Sequence, residues 1–198
     1  HILGRLKSEI KSLDAIVLSA HSFFYSDEVF LPAINHFYLQ QFNPDMFVTF
    51  INGSDDILKK LNEREQWKDQ NLTERDILHW QNIEVEVTGV LANIFDKDFF
   101  VIPTKQPAKT LYYLIFEPER EPIYFQVPIS HLKKSEFEKV HPFVEKLWDM
   151  FTVFNPLTIE TGKVEIGEEV DLAVHHQTVH RDLRWLLRQS KKGIAFIP

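Results

Sequence analysis

Apolar and polar residues change their period along this chain, and each change predicts an element. Ile2, Leu3, Leu6 and Ile10 share one face at helical spacing, so residues 2–12 are predicted to be an amphipathic helix. The run AIVLSA, residues 15–20, is continuously apolar and of strand length, as in a parallel strand covered on both faces. Such a strand would deliver His21, Ser22 and Phe23 to its carboxyl end, the edge where open α/β sheets bind ligands. Ser26-Asp27 and Pro32 frame a helix through Phe42. Asn43-Pro44-Asp45 then turns the chain into a strand over residues 46–51, MFVTFI. Asn52-Gly53-Ser54 is a turn, with Ser54 placed to cap a helix over residues 55–61. Thr73 and Asp76 make a capping box with Asp in the usual Glu place. The helix behind that box sets Ile77, Trp80, Val87, Val90, Leu91 and Ile94 at helical spacing, while IEVEV also alternates as a strand would. Residues 99–102 are a short strand closed by Pro103.

A second set of elements follows the lysine- and proline-bearing stretch 104–109. Strands are predicted over 111–116 and 123–127, with a turn between them. Ser135 and Glu138 cap a helix that runs to Met150 and meets Pro142, which is expected to kink it or shorten its first turn. FTVF, residues 151–154, is a strand ended by Asn155-Pro156, and residues 160–175 have no clear period and read as a loop. Val179, Leu183, Leu186 and Leu187 form the inward face of a helix over 178–190, and residues 194–197 are a final strand. Strands alternate with helices throughout, which predicts an α/β fold. The expected organisation is two three-layer α/β units with mostly parallel sheets, one over residues 1–104 and one over 105–198.

The 198 residues can bury roughly 70% of their unfolded surface without staples. Cysteine is absent, so there is no disulfide frame and no thiolate metal site, which is compatible with a cytoplasmic setting. The net charge of -7 argues against a broad nucleic-acid footprint, and no nucleic-acid partner is expected. No stretch of about 18 apolar residues occurs, so no membrane partner is expected either. A homo-oligomer remains open.

Candidate chemistry concentrates in the charged stretch NEREQWKDQN, which carries Arg64 and Lys68, with Arg75 just beyond. A mobile loop between two helices can close over phosphates and expel water, and planar guanidinium groups suit phosphate oxygens. The same charges also suit a solvated surface loop. Trp67 within it can stack on a base or seal the flap against the domain. Arg181, Arg184 and Arg188 fall on one helix face and can grip a phosphate, an acidic neighbour, or simply water. His176 and His180 are spaced to share a metal if helical, but no third ligand is fixed nearby, and no metal site is assigned.

The order VLSAHSFF, NPDMFVTFINGSDDILKKL, NEREQWKDQNLTERDILHWQNIEVEV and FFVIP resembles the back half of archaeal-type adenylate kinases. These are P-loop nucleoside monophosphate kinases. The similarity covers residues 14–102. In that family a strand ends in Asp-Thr-His, here Ser19-Ala20-His21. A later strand follows Pro-Asp, here Pro44-Asp45. An arginine-bearing lid corresponds to Arg64, and a His-Gln pair opening a helix corresponds to His79 and Gln81. The resemblance implies a P-loop-kinase-like first unit with ATP and Mg²⁺ as cofactors. Taken with the charged stretch read above, it implies Arg64 and Arg75 as catalytic groups, and His21, Lys68 and Gln81 as substrate contacts. Ser19 departs from the family aspartate that anchors Mg²⁺, and no G-x-x-x-x-G-K-[ST] phosphate loop occurs in the chain. In the family that loop precedes the first helix, so a further segment ahead of residue 1 is expected.

Residues 111–198, with Tyr124, Pro128, Ser130 and QTVHRDLRWLLRQSKKGIAFIP, resemble nucleoside 2-deoxyribosyltransferases. This implies a Rossmann-like second unit in which Tyr124 borders a base and Asp182 orients the substrate. The family's nucleophilic glutamate would fall beyond residue 198. A plain Rossmann-like unit would show the same order of elements. The expected function is a nucleotide-binding protein, foremost an ATP-dependent kinase of a nucleoside or nucleotide. The alternatives are an N-glycosidic enzyme or nucleotide sensor acting through the second unit, and an interaction module with both sites degenerate.

Overall fold

The computed structural model describes residues 13, 15–26, 29–127, 134–159 and 180–197, excepting the side chains of residues 134–138 and Asp182. The helix expected over residues 2–12, the loop at 160–175, and His175 and His176 lie outside the described residues, as does the cap expected from Ser135 and Glu138. The chain is mixed α/β with parallel sheets. Among the described residues the first elements are an antiparallel hairpin, β1 (Phe23–Ser26) and β2 (Val29–Pro32), and a short helix α1 (His36–Phe42). Then come β3 (Met46–Ile51), α2 (Ser54–Asn62), a 3₁₀ segment (Glu65–Gln70), the long helix α3 (Glu74–Phe95) and β4 (Asp98–Pro103). The second half holds α4 (Ala108–Phe116), β5 (Pro122–Gln126), α5 (Lys134–Met150), β6 (Thr152–Phe154), a π-helix (Asp182–Leu187) and β7 (Lys192–Ala195).

β3 and β4 pair in parallel, with Met46 opposite Asp98 and Ile51 opposite Pro103. The other parallel sheet has the order β6-β5-β7. Its middle strand buries both faces, as a covered parallel strand must. Ile123 and Phe125 meet the stripe Val140, Val144 and Leu147 of α5, which recurs at helical spacing. Tyr124, pointing the other way, joins Ile51, Val85, Val101, Ile159, Trp185 and Leu186. This cluster draws residues from both sides of residue 104. Phe125 has no exposed surface, and burying such a side chain stabilises the fold by about 1.5–3 kcal/mol.

Several sequence expectations give way to tertiary context. Residues 15–20 lie in no strand and are exposed, Val17 at 66%. Among the described residues no ladder partner takes them, and an apolar run without partner or cover is not a sheet strand. The helix expected through Phe42 is instead the hairpin followed by α1. VFLP extends with Pro32 as its last residue, and the helix starts only where Asn35 accepts the Phe37 N–H at 2.9 Å. The strand expected over 111–116 is helix α4, despite its aromatic and branched residues. Strand preference reflects the surface a segment meets more than its own backbone. Here Thr110 is fully buried and Tyr113 lies 3.9 Å beneath the Arg120 guanidinium. Gly53, not Ser54, occupies the cap of α2. The IEVEV stretch is helical, inside α3. Pro142 sits within α5. The last strand begins at Lys192, two residues earlier than expected.

Candidate functional site

The carboxyl end of β3 and the arm leading into β1 are both held by one face of α3. The capping box fixes where that helix begins: Thr73 N–H donates to Asp76 Oδ2 at 2.8 Å, and Asp76 N–H donates to Thr73 Oγ1 at 3.3 Å. Gln81, Glu84 and Thr88 then recur at intervals of three and four along one stripe. Gln81 Oε1 accepts the N–H of Asn52, the residue that follows β3, at 2.8 Å. One turn on, Glu84 gathers the arm. Its Oε2 accepts the Ser22 N–H at 2.7 Å, and its Oε1 accepts the Phe23 N–H at 3.4 Å. His21 Nδ1 lies 3.1 Å from the same Oε1. Ser22 Oγ and Thr88 Oγ1 are 3.0 Å apart, and Trp80 Nε1–H donates to Phe23 O at 3.0 Å. Glu84 and Trp80 thereby hold the arm's backbone and Thr88 meets its Ser22 hydroxyl, although the arm belongs to no sheet until Phe23.

The Glu84 side chain is 14% exposed and His21 is 60% exposed. A carboxylate only accepts hydrogen bonds, so the Nδ1 atom facing Glu84 carries the proton. In the neutral ring Nε2 is then an open acceptor. The ring lies 5.6 Å from Phe24 and 5.9 Å from Trp80, centroid to centroid. Close to the Gln81 contact, Asn52 Oδ1 is buried and has no hydrogen-bond partner among the described residues. Such a group at a strand's carboxyl end calls for a functional account.

The charged segment after α2 folds against this region through Trp67. That ring is 5.6 Å from Trp80 and packs on the cluster of Tyr25, Leu61, Leu72, Ile77 and Trp80. Trp67 therefore seals the segment to the domain in this structure. Arg64, Lys68 and Arg75 are exposed. Arg64 caps the 3₁₀ segment without a side-chain bond, and Lys68 lies within it.

Gln81 lies on α3 and His21 is held to that helix through Glu84, with Arg64 and Lys68 on a neighbouring segment packed on the same helix through Trp67. It does not bring Tyr124 there. Tyr124 is buried on β5 beside Trp185 and Leu186. The backbone of Asp182 begins the π-helix, and its side chain lies outside the described residues. Arg181 is buried while Arg184 and Arg188 are exposed, so the three do not form the common solvated face expected of regular α-helical spacing. Wider π turns change which residues share a side. Gln106 forms a separate, satisfied buried network. Its Nε2 donates to Val153 O at 2.7 Å and its Oε1 accepts the Asn155 N–H at 3.1 Å.

Sequence reasoning missed Glu84. The signal was present as a polar stripe, Gln81-Glu84-Thr88, inside an otherwise half-buried helix.

The exposed guanidinium and ammonium groups suit phosphate oxygens, and the exposed His21 and Phe24 rings suit a planar base. The donors do not suit a resident magnesium ion, which needs oxygen ligands in octahedral array. Ser19 supplies no carboxylate, and both Glu84 oxygens already accept N–H groups. Among the described residues no cluster of three or more His, Asp or Glu is arranged to hold a metal ion. Among the described residues no helix is long and apolar enough to cross a membrane. Comparison of the chain with family models, with curated proteins and with solved structures gives no match.

Proposed function

We propose that this chain is part of a nucleotide-handling enzyme, an ATP-dependent kinase of a nucleoside or nucleotide. Its first half would be a P-loop-kinase-like unit and its second a Rossmann-like one. The observation that carries this reading is the Glu84 assembly. One helix aligns His21 through Glu84 and the end of parallel strand β3 through Gln81, beside a segment that carries Arg64 and Lys68. The carboxyl end of a parallel strand is where α/β enzymes take their ligands. Phosphoryl transfer depends on positioning and on cations that follow the developing charge. Arg64 and Lys68 would meet the phosphates from the segment that Trp67 docks on the domain, and Arg75 would add charge from the first turn of α3. Residues 15–20 form no strand that would carry His21 to a sheet edge. His21 is held from the helix side instead.

The test is ATP binding and phosphoryl transfer by the full-length protein. ATP titrated against tryptophan emission should report through Trp67 and Trp80. A panel of nucleosides and nucleoside monophosphates should yield a phosphorylated product, and Arg64→Ala should abolish its formation. Turnover unchanged in Arg64→Ala would remove the role given to that residue, and failure of ATP to bind would remove the reading.

A further inference from the structure

Glu84 leaves the acceptor side of this site with a defined hydrogen-bonding and charge character. Its carboxylate is anchored by two backbone N–H groups, closely by Ser22 at 2.7 Å and more loosely by Phe23 at 3.4 Å. It fixes the proton on His21 Nδ1 and turns Nε2, on a largely exposed ring, toward whatever approaches. A neutral imidazole Nε2 takes a hydrogen bond from a hydroxyl. It offers nothing to a phosphate oxygen, which is itself an acceptor. The negative charge of Glu84 directly behind the ring also repels a phosphate dianion. Phe24, 48% exposed, provides an apolar ring whose centroid lies 5.6 Å from that of the imidazole.

We propose that His21, held by Glu84 and flanked by Phe24, is a subsite for a neutral hydroxyl, so that the group phosphorylated is the hydroxyl of a nucleoside rather than the phosphate of a nucleotide. This rests on the kinase reading above and decides between the two acceptors that it leaves open. The step is balanced with ATP as co-reactant. The hydroxyl proton passes to His21 Nε2, and the hydroxyl oxygen forms a bond to the γ-phosphorus. The bond from that phosphorus to the β–γ bridging oxygen breaks, and ADP leaves with the electron pair.

Nitrogen NMR of the ¹⁵N-histidine-labelled full-length protein in mildly alkaline buffer tests this, with His21 assigned from His21→Gln. The ring should show a protonated Nδ1 and a bare Nε2. An equimolar mixture of common ribo- and deoxyribonucleosides should shift the Nε2 resonance at concentrations about tenfold lower than the matching monophosphates need. Glu84→Gln keeps an oxygen for the Ser22 N–H but removes the charge, and should erase most of that preference. An Nε2-protonated ring, equal or tighter binding of monophosphates, or no shift with either mixture would overturn the proposal. ATP binding, measured separately, keeps the two claims apart. A nucleoside response without ATP binding overturns the kinase reading, and with it the phosphoryl step, but keeps the hydroxyl subsite; ATP binding without a nucleoside response overturns the subsite.

Discussion

Gln189 holds the backbone of Val101 on both of its polar groups. The Val101 N–H donates to Gln189 Oε1 at 2.7 Å, and Gln189 Nε2–H donates to Val101 O at 2.8 Å. Val101 lies on β4, opposite Thr49 of β3, so its other side would be an open sheet edge. One side-chain amide does there what a neighbouring strand would do, and it ties the end of the π-helical segment to the first parallel sheet.

Gln189→Ala should therefore leave both Val101 groups unpaired and lower stability by about 1–3 kcal/mol in urea unfolding. Gln189→Glu keeps the acceptor for the Val101 N–H but sets a charge against the Val101 carbonyl. It should be no better than alanine. Wild-type stability in both variants would mean the amide contributes nothing net.

Val17→Asp tests the exposure of residues 15–20. Val17 is 66% exposed, so the substitution should change stability by no more than about 0.5 kcal/mol. A loss of several kcal/mol by chemical denaturation would mean that this run is buried in a sheet after all.

Acid should weaken the start of α3. The Asp76 carboxyl is held below its ordinary value of 3.8, first by the Thr73 hydroxyl and then by the Thr73 N–H, with burial opposing them and Tyr25 and His79 adding less. A depressed carboxylate stabilises the fold fully above its unfolded value, and that contribution disappears as pH falls through the folded value. The stability gap between wild type and Asp76→Asn should be constant above pH 3.8 and shrink progressively below it. Urea midpoints measured across that range give the curve, and a gap that widens in acid would contradict the assignment.

Arg64→Ala should leave stability within about 0.5 kcal/mol of wild type, since the side chain is exposed. ATP affinity should nonetheless fall about tenfold, the equivalent of roughly 1.4 kcal/mol. Parallel thermal unfolding and ATP titration separate the two effects. Equal affinity in the variant would place the segment's charge outside the site.

The elements that could be read from sequence are those with strong local signals. Pro44-Asp45 before MFVTFI located β3, and the Thr73–Asp76 box located α3 within a residue of its start. The β5–α5–β6 succession was legible too, because apolar period and breakers agree there. What could not be read depended on partners far along the chain. Residues 15–20 have the composition of a covered strand, but composition does not say whether a ladder partner exists. LYYLIF looks like a strand until Thr110 and Tyr113 find their neighbours. Glu84 was hidden for a similar reason: its role lies in the N–H groups of Ser22 and Phe23, more than sixty residues earlier.

The sheet order β6-β5-β7 bears on how this chain is made. Synthesis releases β5 and then β6, whereas β7 and Gln189 emerge only after a long intervening stretch. Until then one side of β5 and the Val101 edge of β4 stand bare on a phenylalanine-rich nascent polypeptide, a state prone to edge-to-edge association. The late-arriving helix turn and strand act as the closing piece, so ribosome stalling ahead of them would leave a half-built molecule in need of a chaperone.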